Sequence, residues 1–147
     1  MNRGKRVGLS VAGVLVGLTA WAFVAERGVV RAQDAAALGF APVMPLHSLM
    51  IEQDLHFENI RHWIRTSDDP ERFVKLRHEA LALAEMGNIN GFHAKAADHA
   101  DYRQWAAELK TLGMALAGHA EKQDLDAAKE SAKTINATCK ACHEKYQ

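Results

Sequence analysis

Beyond position 45, apolar residues recur every three or four positions, and no segment alternates with a period of two over a strand's length. That spacing predicts amphipathic helices, and the abundance of Ala, Leu, Glu and Lys agrees with it. Four helices can be drawn. The first runs from near Pro45 to near Arg65, with Leu46, Met50, Gln53, Phe57, Ile60 and Ile64 on one stripe. Ser67-Asp68-Asp69-Pro70 then reads as a turn into a second helix. Asp69 offers a capping oxygen there, and Pro70 in the first helical position sacrifices no hydrogen bond. The second helix carries Phe73, Leu76, Ala80, Leu83 and Ala84 and is expected to stop around Gly87-Asn88, with Gly87 and Gly91 bracketing a break. A third, opening between Asn90 and Asp101, presents Tyr102, Trp105, Leu109, Leu112 and Leu116. After a turn at Lys122-Gln123-Asp124, the last helix carries Leu125, Ala128, Ala132, Ile135, Cys139, Cys142 and Tyr146. Four such stripes with short connections predict an all-α fold, an antiparallel four-helix bundle spanning residues 45–147.

The chain ahead of the bundle has a different character. Arg3, Lys5 and Arg6 precede an uncharged run from Val7 to Ala25 that is rich in Gly, Ala, Val and Leu. A positive start followed by an apolar core is an export pattern, which makes residues 1–32 a signal peptide or an N-terminal membrane anchor. Val30-Arg31-Ala32 offers a cleavage site before Gln33. Against cleavage stand the run's 19 residues, close to the roughly 20 that span a bilayer, and the charges Glu26, Arg27 and Arg31. Either way the body of the protein lies outside the cytoplasm, in the periplasm, either soluble or tethered by residues 7–25. Residues 33–44, with an Ala triplet, Gly39 and Pro42, read as a linker.

The length of 147 residues leaves room for one domain. Eighteen basic and eighteen acidic residues exclude a broadly basic nucleic-acid binder. Five of the basic residues but only one acid lie in the first 32 positions, so the remainder carries a net charge of −4 with His neutral.

The only two cysteines both fall in Cys139-Lys140-Ala141-Cys142-His143, the CxxCH sequence of covalent c-type haem attachment. On a helix the two thiols sit one turn apart on one face, within reach of the two vinyl groups of one porphyrin. His143 follows four residues after Cys139, so its imidazole can serve as proximal iron ligand from the same helix. One motif implies one haem c per chain. A disulfide across so short a loop would contribute little stability. A thioredoxin-like redox pair calls for strands that the pattern lacks, and a zinc site would need a further ligand.

The ending Thr138-Cys139-Lys140-Ala141-Cys142-His143-Glu144-Lys145-Tyr146, on the last helix of a four-helix chain, resembles the class II cytochromes c, the cytochrome c′ family. The family often carries Arg after the terminal aromatic, where this chain has Gln147. The resemblance implies a haem protein of one of two kinds. In low-spin members a Met from the first helix closes the distal side for electron transfer; in the others an open five-coordinate iron binds NO or CO. At about 100° per residue, Met50 lies about 40° from Leu46 and so within the buried sector. Its place in the second turn also resembles the family's ligand position. Met50 is therefore the candidate distal ligand, with Met44, His56, His47 or no ligand as the alternatives. His47 falls on a solvent-facing flank with Asp54 and Glu58; His56 falls on the other flank beside Leu49 and Trp63. The expected function is electron transfer with a redox partner protein, and five-coordinate binding of NO or CO is the alternative. No enzymatic role is expected, since no distal His paired with an Arg is recognisable. The sequence leaves room for a homodimer, and membrane contact is expected only through an uncleaved N-terminal segment.

Overall fold

In the computed structural model, residues 41–146 are described and form α1 (Leu46–Arg65), α2 (Arg72–Asn90), the short α3 (Ala94–Asp98), α4 (Ala100–Glu121) and α5 (Leu125–Tyr146). The four long helices make the predicted bundle. α2 packs against α1 and most closely against α4, α5 lies on α4, and α1 meets α5 more loosely to close the ring. The expected N-terminal segment 1–32 and most of the linker lie outside the described residues. Among the described residues no helix is long and apolar enough to cross a membrane.

Local chemistry accounts for the turns. The expected cap at Asp69 and helical start at Pro70 are corrected: α2 opens two residues later, at Arg72, with no side-chain cap. Asp69 instead shapes the preceding turn, its Oδ1 accepting the Glu71 N–H at 2.8 Å and its carbonyl the Arg72 N–H at 3.1 Å. Asp124, directly before α5, is a true cap and accepts the Ala127 N–H at 3.0 Å. Between α4 and α5 the chain turns through Gln123 at φ 57°, a left-handed conformation that a residue with a Cβ adopts at a cost.

The expected stop at Gly87 is corrected. α2 continues to Asn90, and Gly87 is a buried interior residue of that helix. A Cβ at Gly87 would lie 2.8 Å from the Lys110 backbone nitrogen, and one at Gly113 would lie 2.9 Å from the Ala84 Cβ. These two glycines let α2 and α4 approach closely. The break falls later, where α3 intervenes between Asn90 and Ala100.

Leu49, Ile60, Leu76, Leu83, Leu116 and Ile135 are the largest fully buried side chains. Leu49 was expected on a flank beside His56, yet it is 0% exposed. The buried face of α1 is wider than one stripe because α1 packs on α2 as well as α5. Along α5 the buried positions are small: Ala128, Ala132 and Thr138 accompany Ile135. Small side chains on this helix leave room beside it.

Candidate functional site

A pocket opens toward the carboxyl end of α5, beside Thr138. It holds about 210 Å³, somewhat below the roughly 300–1,000 Å³ typical of ligand and cofactor sites, and it opens to solvent. Met50, Gln53 and Phe57 line it from α1; Trp105, Ala106 and Leu109 from α4; Cys139, Cys142 and His143 from α5. Its polar side includes Asp54, Arg61, Asn136 and Lys140.

All four residues singled out in the sequence as haem ligands or attachment points thus border a single pocket. The cysteines are partly buried free thiols. Burial pushes the Cys139 thiol up from its ordinary value, assisted by Cys142 and Asp54. Burial also raises Cys142, with Lys95 opposing and Asp101 assisting. Both therefore stay neutral at ordinary pH. His143 is exposed at the rim and Met50 is half-buried.

None of the alternative distal ligands lines this pocket. His56 Nδ1 pairs with Glu79 Oε2 of α2 at 2.7 Å, and His47 is exposed. Met44 lies ahead of α1, where its carbonyl accepts from His93 Nε2 at 3.0 Å. Trp105 is a pocket wall, whereas Trp63 packs on the core beneath the Lys75 ammonium, 4.8 Å away.

Two further groupings position the motif helix. Tyr146 Oη donates to Asp101 Oδ1 at 2.6 Å, and Lys145 Nζ donates to the other carboxylate oxygen. The Tyr146 ring meets Trp105 and Tyr102 edge-on, with centroids 6.0 and 5.5 Å apart. The Lys145 and Tyr146 donors hold the Asp101 carboxyl well below its usual range. Desolvation and the Asp101 carboxylate push the Tyr146 phenol up to about 12. Deeper in, Tyr102 Oη donates to Asn90 Oδ1 at 2.5 Å, a buried pair joining α4 to the end of α2. Tyr102 was legible on the α4 stripe. Asn90 was not, because it falls where the helix was expected to have ended.

The donor set fits a haem: two neutral thiols a turn apart, an imidazole directly after them, a thioether on another helix, and apolar and aromatic walls between. Comparison with family models matches residues 69–147 to the family described as Cytochrome C'. Comparisons with curated proteins and with solved structures returned no match. The matched residues take in α2 to α5 and the CxxCH motif but stop short of α1, so Met50 rests on its place in the pocket. With the match covering more than half its length and the motif on the last helix of a four-helix bundle, the chain belongs to the haem-binding cytochrome c′ family, the class II cytochromes c.

Proposed function

We propose that the chain is an exported electron carrier with one covalently attached haem c, held by thioethers to Cys139 and Cys142, with His143 as proximal and Met50 as distal iron ligand. The observation that supports this most is the shared pocket: Met50 on α1 and His143 on α5 border the same apolar space.

The haem, when bound, supplies one-electron redox chemistry. The chain supplies everything that tunes it. Each thiol adds across one vinyl group: sulfur bonds one vinyl carbon and the thiol hydrogen ends on the other, so no leaving group or oxidant is needed. Phe57, Trp105, Ala106 and Leu109 give the site an apolar wall, and apolar surroundings favour the less charged ferrous state. A Met thioether in the sixth position also raises the potential, which suits a carrier. The Tyr146–Asp101–Lys145 cluster fixes the end of the helix that presents His143.

The carrier works outside the cytoplasm with a redox partner protein, soluble after cleavage or tethered by residues 7–25. An optical spectrum of the ferric protein tests the distal assignment. A low-spin spectrum with the weak far-red band of Met–Fe ligation supports it. A high-spin spectrum would replace it with the five-coordinate, NO- or CO-binding reading.

A further inference from the structure

One polar residue interrupts the apolar stripe of α1. Gln53 is only 9% exposed, and its Nε2 is buried with no hydrogen-bond partner. Buried amides are nearly always paired, because an unmade bond leaves the cost of removing the group from water uncompensated. Gln53 nevertheless borders the haem pocket, one helical turn after Met50. Residues three apart share a helix face, so the amide and the thioether sulfur belong to the same side of the site. The other buried amide bordering that space, Asn90, is already engaged by Tyr102.

We infer that Gln53 is a distal hydrogen-bond donor: its amide N–H receives the acceptor atom of a small polar or anionic ligand that takes the sixth position in place of Met50. The inference rests on the haem assignment. Its logic is selective. A ligand whose free end accepts a strong hydrogen bond satisfies the buried amide, and one whose end accepts only weakly polarises toward it but gains little affinity. The pocket therefore favours fluoride-like anions and polar diatomic molecules over carbon monoxide.

The probes are fluoride on the ferric protein and carbon monoxide on the ferrous protein, applied to haem-loaded wild type, Gln53→Leu, Met50→Ala and the double variant. Leu nearly matches Gln in volume and removes an unpaired buried donor, so Gln53→Leu is expected to fold at least as well as wild type. In the Met50→Ala background, Gln53→Leu should weaken fluoride binding about tenfold, equivalent to about 1.4 kcal/mol, and leave carbon monoxide affinity nearly unchanged. The C–O stretching frequency should rise in Gln53→Leu, because a nearby N–H donor lowers it. An unchanged fluoride affinity together with an unchanged or lowered stretch overturns the proposal. So does a Met50→Ala protein that takes up neither probe. Failure of the haem assignment itself looks different: the chain would carry no haem resistant to acid–acetone extraction.

Discussion

The phenol of Tyr146 donates to the carboxylate of Asp101 across 2.6 Å, joining the last turn of α5 to the first turn of α4. Because the CxxCH motif ends three residues before Tyr146, this contact and the Lys145–Asp101 ion pair fix where the motif's turn sits. The terminal aromatic that marks the motif in sequence thus has a mechanical purpose.

That cluster makes stability depend on pH at both extremes. Asp101 is held below its ordinary value of 3.8, so below that value the unfolded chain binds the proton that the folded chain refuses. Its contribution is full above 3.8 and is lost as the pH falls toward the folded value. For Tyr146 the sign reverses: with the phenol raised from 10.0 to about 12, its contribution is full below 10.0 and is lost as pH rises through about 12. Helical circular dichroism followed in acid should show Asp101→Asn less stable at neutral pH and flatter below pH 4. Tyr146→Phe should likewise soften the alkaline loss. Wild-type-like acid and alkaline curves in both variants would count against the cluster's role.

Covalent attachment makes its own demand. Haem should remain with the chain after acid–acetone extraction, and Cys139→Ala or Cys142→Ala should lower haem loading in a host competent for c-type maturation. Quantitative loss of haem from the wild type, or full loading of the double variant, would be inconsistent with thioether bonds.

Removing haem should weaken the fold. The apolar walls of the pocket, among them Phe57, Trp105, Ala106 and Leu109, face water until something fills the space, and covering them is stabilising. The apo chain is expected to melt far below the holo protein and less cooperatively. Equal melting temperatures would show that the bundle does not depend on what fills the pocket.

The glycine seam between α2 and α4 predicts opposite outcomes for one substitution type. Gly113→Ala places a Cβ 2.9 Å from the Ala84 backbone nitrogen and 3.0 Å from the Ala80 carbonyl oxygen, and should destabilise by roughly 1–3 kcal/mol. Gly118→Ala meets nothing within 4 Å and should stabilise by about 0.5–1 kcal/mol through helix propensity. Urea denaturation of the two variants reads the contrast directly; equal effects would contradict close packing at Gly113.

Much of this was legible in the chain, for identifiable reasons. α1 and α5 were visible because their apolar residues recur at helical spacing, and CxxCH names its chemistry by spacing alone. Gly87 misled because a glycine ends helices and also admits a neighbouring helix, and only the partner, here Lys110 of α4, distinguishes the two. The width of α1's buried face hid Leu49, since one stripe cannot show that a helix packs on two neighbours. Asp101 gave no signal: an acid near a helix start reads as solvated until Lys145 and Tyr146 fold back onto it.

Met50 carries the central claim, and the ferric absorption spectrum of Met50→Ala tests it most directly. If Met50 is the sixth ligand, the low-spin wild-type spectrum should turn high-spin, the far-red Met–Fe band should vanish, and the reduction potential should fall. A Met50→Ala protein that stays low-spin with the band intact, having lost only a few kcal/mol of packing, would show that Met50 is a core residue and that the iron finds its sixth ligand elsewhere.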